Sequence, residues 1–119
     1  QISMELAANV LKVVQNSEPQ REIKAEQILA AVSEHYRVPP ESLRGRKRTN
    51  QIAFPRQVGM YLCRVLTQMS LVEIGQVLGG RDHTTVIYGC DRISSQLSTD
   101  RDLRESVERL TTKLREGRG

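Results

Sequence analysis

Asp82, His83, Thr84 and Thr85 stand in a row behind a Gly79-Gly80-Arg81 turn, and between them they carry acceptors, donors and methyl groups. On the first turn of a helix, such side chains suit the edges of base pairs in a DNA major groove. A carboxylate accepts from a cytosine amino group, an imidazole donates or accepts, and threonine offers a methyl to thymine and a hydroxyl to base or phosphate. Helix stability alone would not select them, because His and Thr are mediocre helix formers. The plainer alternative makes Asp82 a helix cap and the threonines solvated surface. Acid-base catalysis is not expected, since adjacent side chains such as Asp82 and His83 diverge by about 100° on a helix and form no oriented pair. Cys63 and Cys90 belong to no CxxC, and the two histidines, His35 and His83, are far apart in sequence. They read as reduced core residues rather than metal ligands, and neither a nucleophile motif nor a phosphate-binding P-loop is present.

The elements that position this row are a short helix, a glycine turn and a longer helix. Ser70-Leu71-Val72-Glu73 has the form of a capping box, and Leu71, Ile74, Val77 and Leu78 recur at helical spacing up to Gly79-Gly80, where a left-handed residue can end a helix. Asp82 is a good N-cap for the next helix, whose stripe is Val86, Cys90, Ile93 and Leu97 and which runs to about Leu97. Two helices joined by a tight glycine turn make a helix-turn-helix. The backbone N–H groups at Ser70 are a further candidate for a phosphate. Gly89, inside the second helix, costs about 1 kcal/mol against Ala, which points to close packing there.

Charge is unevenly spread. The chain has 119 residues, 18 basic and 14 acidic, for a net charge of +4. Arg44, Arg46, Lys47, Arg48, Arg56 and Arg64 lie in one window that contains no Asp or Glu. All of the excess is there, the footprint of a phosphate-binding face. Within it, Arg44 to Asn50 carries no apolar residue and cannot be core. A solvated charge run is one reading. The other is an arginine arm that enters a minor groove beside the helix-turn-helix, where A·T-rich DNA concentrates negative potential.

The remaining elements are helical too. Aromatic residues make up 3% of the chain and Trp is absent, so a core of Leu, Val, Ile and Ala is expected, which favours packed helices. Ser3 to Val14 forms a first amphipathic helix. Ala25 to Tyr36 is a second, stopped by Val38-Pro39-Pro40, and Pro40 to Leu43 adds one turn. Gln51 to Gln68 is the longest, with Val58, Tyr61, Leu62, Val65 and Leu66 inward and Pro55 in its first turn. Arg56 and Arg64, eight residues apart, lie near one face with Gln57 adjoining. After Thr99 or Asp100 as cap, Leu103, Val107, Leu110 and Leu114 line a final helix, followed by a frayed tail from Arg115. That stripe suits packing in its own domain better than a coiled coil of under two heptads. The fold class is therefore all-α, with six to seven helices. No apolar run is long enough to span a membrane, and the N-terminus lacks a signal peptide's apolar core.

Gly79-Gly80-Arg81-Asp82-His83-Thr84-Thr85-Val86-Ile87 resembles the recognition-helix signature of the bacterial DnaA replication initiators, in their C-terminal DNA-binding domain. Arg44-Gly45-Arg46-Lys47-Arg48-Thr49 is similar to that family's basic loop. Phe54-Pro55-Arg56-Gln57 and Met60-Tyr61-Leu62-Cys63-Arg64 resemble its long central helix. The resemblance covers essentially the whole chain.

It implies binding to double-stranded DnaA boxes at the bacterial origin to initiate replication. Asp82, His83, Thr84 and Val72 would contact bases in the major groove and Arg48 in the minor groove. Arg46, Lys47, Arg56, Gln57, Arg64, Ser70 and Thr85 would contact phosphates, which set register rather than sequence preference. Residues 1–16 would be the linker helix or tail of a preceding AAA+ module, and residues 17–119 the DNA-binding domain. ATP and Mg belong to that module, so no cofactor is expected in this chain. A monomer is expected here, whereas the full-length family protein would oligomerise on the origin, in the bacterial cytoplasm at the nucleoid. Three positions depart from the family pattern. Val72 stands where proline is frequent, Tyr88 where histidine is, and Asp91 where some members carry a basic residue. Two other classes compete: a dimeric helix-turn-helix regulator of palindromes, and a helical interaction module whose basic loop binds acidic partners.

Overall fold

The computed structural model describes residues 23–46 and 49–116. Six helices follow one another: α1 (Ala25–Tyr36), α2 (Pro40–Leu43), α3 (Asn50–Leu66), α4 (Leu71–Val77), α5 (His83–Leu97) and α6 (Arg101–Arg115). Among the described residues there is no strand, and no helix is long and apolar enough to cross a membrane. The expected Ser3–Val14 helix lies outside the described residues, as do Lys47 and Arg48 of the basic loop.

The helix boundaries follow local chemistry. Ser70 and Glu73 close the reciprocal capping box, with Glu73 N–H donating to Ser70 Oγ at 3.1 Å and Ser70 N–H to Glu73 Oε1 at 2.8 Å. Asp82 caps α5 by accepting from Thr85 N–H at 2.9 Å, and Asp100, not Thr99, caps α6 by accepting from Leu103 N–H at 3.0 Å. Each cap satisfies one of the four amide groups that a helix start leaves without an internal partner. Gly79 and Gly80 take φ of +92° and +81°, the left-handed values that the glycine pair suggests. Arg37 ends α1 at φ 59° without the help of a glycine.

α3 is the central column, packed on α1 along one side and α5 along another, while α6 closes the assembly against α1, α3 and α5. Ile28, Leu29, Val32, Leu43, Val58, Leu62, Ile74, Leu78, Val86 and Ile93 are fully buried and form one continuous core. Gly89 allows a close approach between helices: a Cβ there would stand 2.8 Å from Met60 Sδ and 3.1 Å from Gln57 Cγ, so α5 crosses α3 nearly in contact.

Four expectations need correction. Val65 is 51% exposed rather than inward. The buried arc of α3 runs from Val58 through Leu62, Pro55, Gly59 and Cys63 to Met60, and Val65 falls outside it, because α1 and α5 approach on that side. Pro55 is not in the first turn: α3 begins at Asn50, so Pro55 falls in its second turn and removes one internal amide donor there. Arg56 and Arg64 do not share a solvent face, since Arg56 is buried and Arg64 exposed. Arg115 belongs to α6 rather than to a frayed tail.

Candidate nucleic-acid interface

The exposed first turn of α5 is built by the turn that precedes it. Gly75, inside α4, accepts both the Gly80 N–H at 3.0 Å and the Arg81 N–H at 2.9 Å, which folds the chain back sharply and sets the angle between α4 and α5. Asp82 then caps the helix, and His83, Thr84 and Thr85 are all exposed. The Asp82 carboxyl is held below the usual carboxylate range, first by the Thr85 backbone N–H and then by the Thr85 hydroxyl. One carboxylate oxygen, Oδ1, is thus committed to the cap; the second remains an acceptor by its chemistry. Capping and base contact are compatible in one side chain. Val72 is 55% exposed on the first turn of α4, an apolar surface on the same helix pair. Further along α5, Tyr88 and Asp91 are exposed.

The root of the basic loop is held by two arginines that do different work, Arg56 from α3 and Arg81 from this turn. Arg56 is 5% exposed, and its Nε donates to the Leu43 carbonyl at 2.9 Å and its Nη2 to the Ser42 carbonyl at 2.8 Å. Buried and beside Arg81, its guanidinium is held below its ordinary pKa, in that order of cause. Arg81 donates from Nη1 to the Leu78 carbonyl and from Nη2 to the Gly45 carbonyl, joining the end of α4 to the loop. Gly79 completes the junction, because a side chain there would collide with the Arg44 carbonyl. The loop root and the helix-turn-helix are therefore one packed unit.

The other expected phosphate-facing residues occupy varied settings. Arg46 is exposed on the loop, and Arg64 is exposed on α3 beside the Cys90 thiol. Gln57 is half-buried, and its Oε1 accepts from Arg92 Nη1 at 2.7 Å. Ser70 is exposed, with its N–H and Oγ both joined to Glu73, so the donor it can still offer is its hydroxyl proton. Lys47 and Arg48 lie outside the described residues. The residues of greatest structural weight that the sequence did not single out are Arg81 and Arg92. Arg92 reaches from α5 to Gln57 and Asn50 and stands 5.4 Å over the Phe54 ring, fastening α5 to the start of α3. The position of Arg81 between a glycine pair and a helix cap was the one available signal. For Arg92 there was none.

Nothing in the described residues gathers three His, Cys, Asp or Glu side chains as a metal would require. Cys63 and Cys90 are both free and buried, and burial pushes the Cys63 thiol up to about 12, far from nucleophilic use.

Known proteins resemble this chain in sequence and in fold. Residues 25–93 match the family model described as the bacterial dnaA protein helix-turn-helix. The chain is 45% identical over 118 residues to the chromosomal replication initiator protein DnaA of Chloroflexus aggregans, covering 99% of this chain and 25% of that protein. It is 43% identical over 113 residues to the protein of the same name from Roseiflexus castenholzii, covering 95% of this chain and 24% of that one. The chain thus spans about a quarter of the length of the curated relatives it matches. A crystal structure of a DNA replication initiation factor superposes with a TM-score of 0.71 at 28% identity, covering 80% of this chain and 29% of that one. The matched segment holds the basic loop, the central helix and the helix-turn-helix together, and the chain belongs to the bacterial DnaA helix-turn-helix family.

Proposed function

We propose that this domain binds double-stranded DNA at DnaA boxes of a bacterial replication origin and so takes part in initiating chromosome replication. The observation that carries the reading is the exposed His83-Thr84-Thr85 turn standing beside the root of the basic loop. In this reading α5 enters the major groove, where Asp82, His83 and Thr84 meet base edges and Val72 meets a thymine methyl. Arg48 enters the adjacent minor groove. Arg46, Lys47, Arg64, Ser70 and Thr85 hold phosphates. Arg56 and Gln57 act from inside, the first through the loop root and the second under α5.

The helix-turn-helix is a binding unit and not a catalytic one. The same reading makes residues 17–119 the DNA-binding domain and residues 1–16 a linker from an AAA+ module, which would hold ATP and Mg in full-length members. It makes this chain a monomeric reader in the bacterial cytoplasm, with oligomerisation on the origin left to the full-length protein.

Fluorescence anisotropy tests the reading with one duplex containing a DnaA box and one scrambled duplex of equal composition, at near-physiological salt. Tighter binding to the box by about 4 kcal/mol or more is expected of a specific reader. Equal binding to both duplexes would leave a basic helical module without sequence preference and sink the assignment.

A further inference from the structure

A cavity of about 490 Å³ lies between the basic loop and the first turn of α5, walled by Arg46, Arg56, Gly79, Gly80, Arg81 and Thr85. Three guanidinium groups share it, and among the described residues that line it there is no carboxylate. Burial first, then Arg46, holds the Arg81 guanidinium below its ordinary pKa, and Arg81 in turn acts on Arg56 in the same direction. Such a cluster of like charges is unfavourable until an anion enters. Arg81 is also fixed in place, because its bonds to the Leu78 and Gly45 carbonyls hold the guanidinium where it stands. A fixed cation loses little side-chain freedom on binding. The Gly80 wall is open, since a Cβ there would meet nothing within 4 Å.

We propose that this cavity is a seat for one phosphodiester of the DNA backbone, with Arg46 and Arg81 as its ligands and Arg56 as its charged inner wall. Its location selects the phosphate. The cavity lies between the loop assigned to the minor groove and the helix assigned to the major groove, and the strand that separates two adjacent grooves must pass over that point. A phosphate held there fixes the register of both readers at once. Arg81, which the sequence signature contains without an assigned task, becomes the residue that joins them. The inference rests on the DNA-binding reading above.

The test is a scan of box duplexes, each carrying one uncharged methylphosphonate, against the unaltered chain and the variants Arg81→Ala and Arg46→Gln. Arg46→Gln is the second variant because Arg81→Ala also removes the bonds to Leu78 and Gly45, and thermal melting reports on that loss. With the unaltered chain, one backbone position should weaken binding about tenfold when neutralised, the effect of a charge-assisted hydrogen bond. In both variants that position should lose most of its penalty while other positions keep theirs. A full penalty at every position in both variants would overturn the proposal. Failure of the underlying reading looks different, because the unaltered chain would then bind unmodified box and scrambled duplexes alike.

Discussion

Gly75 and Arg81 are locked face to face: the Gly75 carbonyl accepts the Arg81 N–H at 2.9 Å, and a Cβ on Gly75 would collide with the Arg81 carbonyl. The pair sets the turn on which the exposed first turn of α5 depends. Gly75→Ala would gain about 1 kcal/mol of helix propensity in α4, but the obstructing atom is backbone and cannot rotate away. We expect a net loss of about 2 kcal/mol, the scale of overpacking at a tight site, read as a lower urea midpoint. An unchanged or raised midpoint would mean that the turn opens freely.

Asp82 separates capping from base reading in one experiment. Asp82→Asn keeps an N-cap oxygen for Thr85 N–H and should hold stability within a few tenths of a kcal/mol, whereas Asp82→Ala should cost about 1 kcal/mol. If the carboxylate also reads a base, Asp82→Asn will still change the preferred box in a binding-site selection. An unchanged preference would reduce Asp82 to its cap.

Exposed His83 contributes nothing evident to the core, so His83→Ala should leave the melting temperature nearly unchanged. Binding to the box should weaken by roughly 1 to 3 kcal/mol, with scrambled DNA unaffected. Arg48→Ala should behave likewise, losing preference for A·T pairs on the minor-groove side. Equal losses on both duplexes would remove either residue from base contact.

Arg56→Ala is expected to act through folding. Two hydrogen bonds from a buried guanidinium to the Ser42 and Leu43 carbonyls disappear with it. We expect about 2 to 3 kcal/mol of lost stability, the scale of a charged hydrogen bond plus its orphaned acceptors. Box and scrambled DNA should weaken together. Wild-type stability in denaturant would show that the loop root stands without this clamp.

Acid should weaken the α1–α6 contact before it reaches the caps. His35 pairs with Ser106 Oγ at 3.1 Å, and burial, then Arg109 and Lys113, lower its pKa below the ordinary 6.5. The unfolded chain therefore binds this proton more readily, so stability is greatest above that value and declines as pH falls through it. A second decline follows in stronger acid, where Asp82, Asp100 and Glu34, all with lowered pKa, must be protonated. Thermal melting at pH 7.5 and 5.5 checks the first step, which His35→Gln should remove. A melting temperature equally pH-sensitive in the variant would assign it elsewhere.

The caps, the glycine turn and the helix stripes were readable from residue order because each depends on neighbours three or four positions away. Ser70 with Glu73, Asp82 with Thr85, and Gly79-Gly80 behave in the fold as their spacing implies. Charge position was equally plain, since the basic window needs only counting. Three-dimensional packing decided the rest. Arg56 looks like a surface cation in sequence, yet it bonds carbonyls 13 and 14 residues away; Arg81 spans 36 residues to Gly45, and Arg92 spans 35 to Gln57. Val65 shows the same limit in the core: apolar spacing names a stripe, but the approach of α1 and α5 chooses which side of α3 is covered. An arginine's charge is a property of its residue type. Whether its guanidinium meets a carbonyl, a ring or a phosphate depends on what distant chain has been folded within its reach.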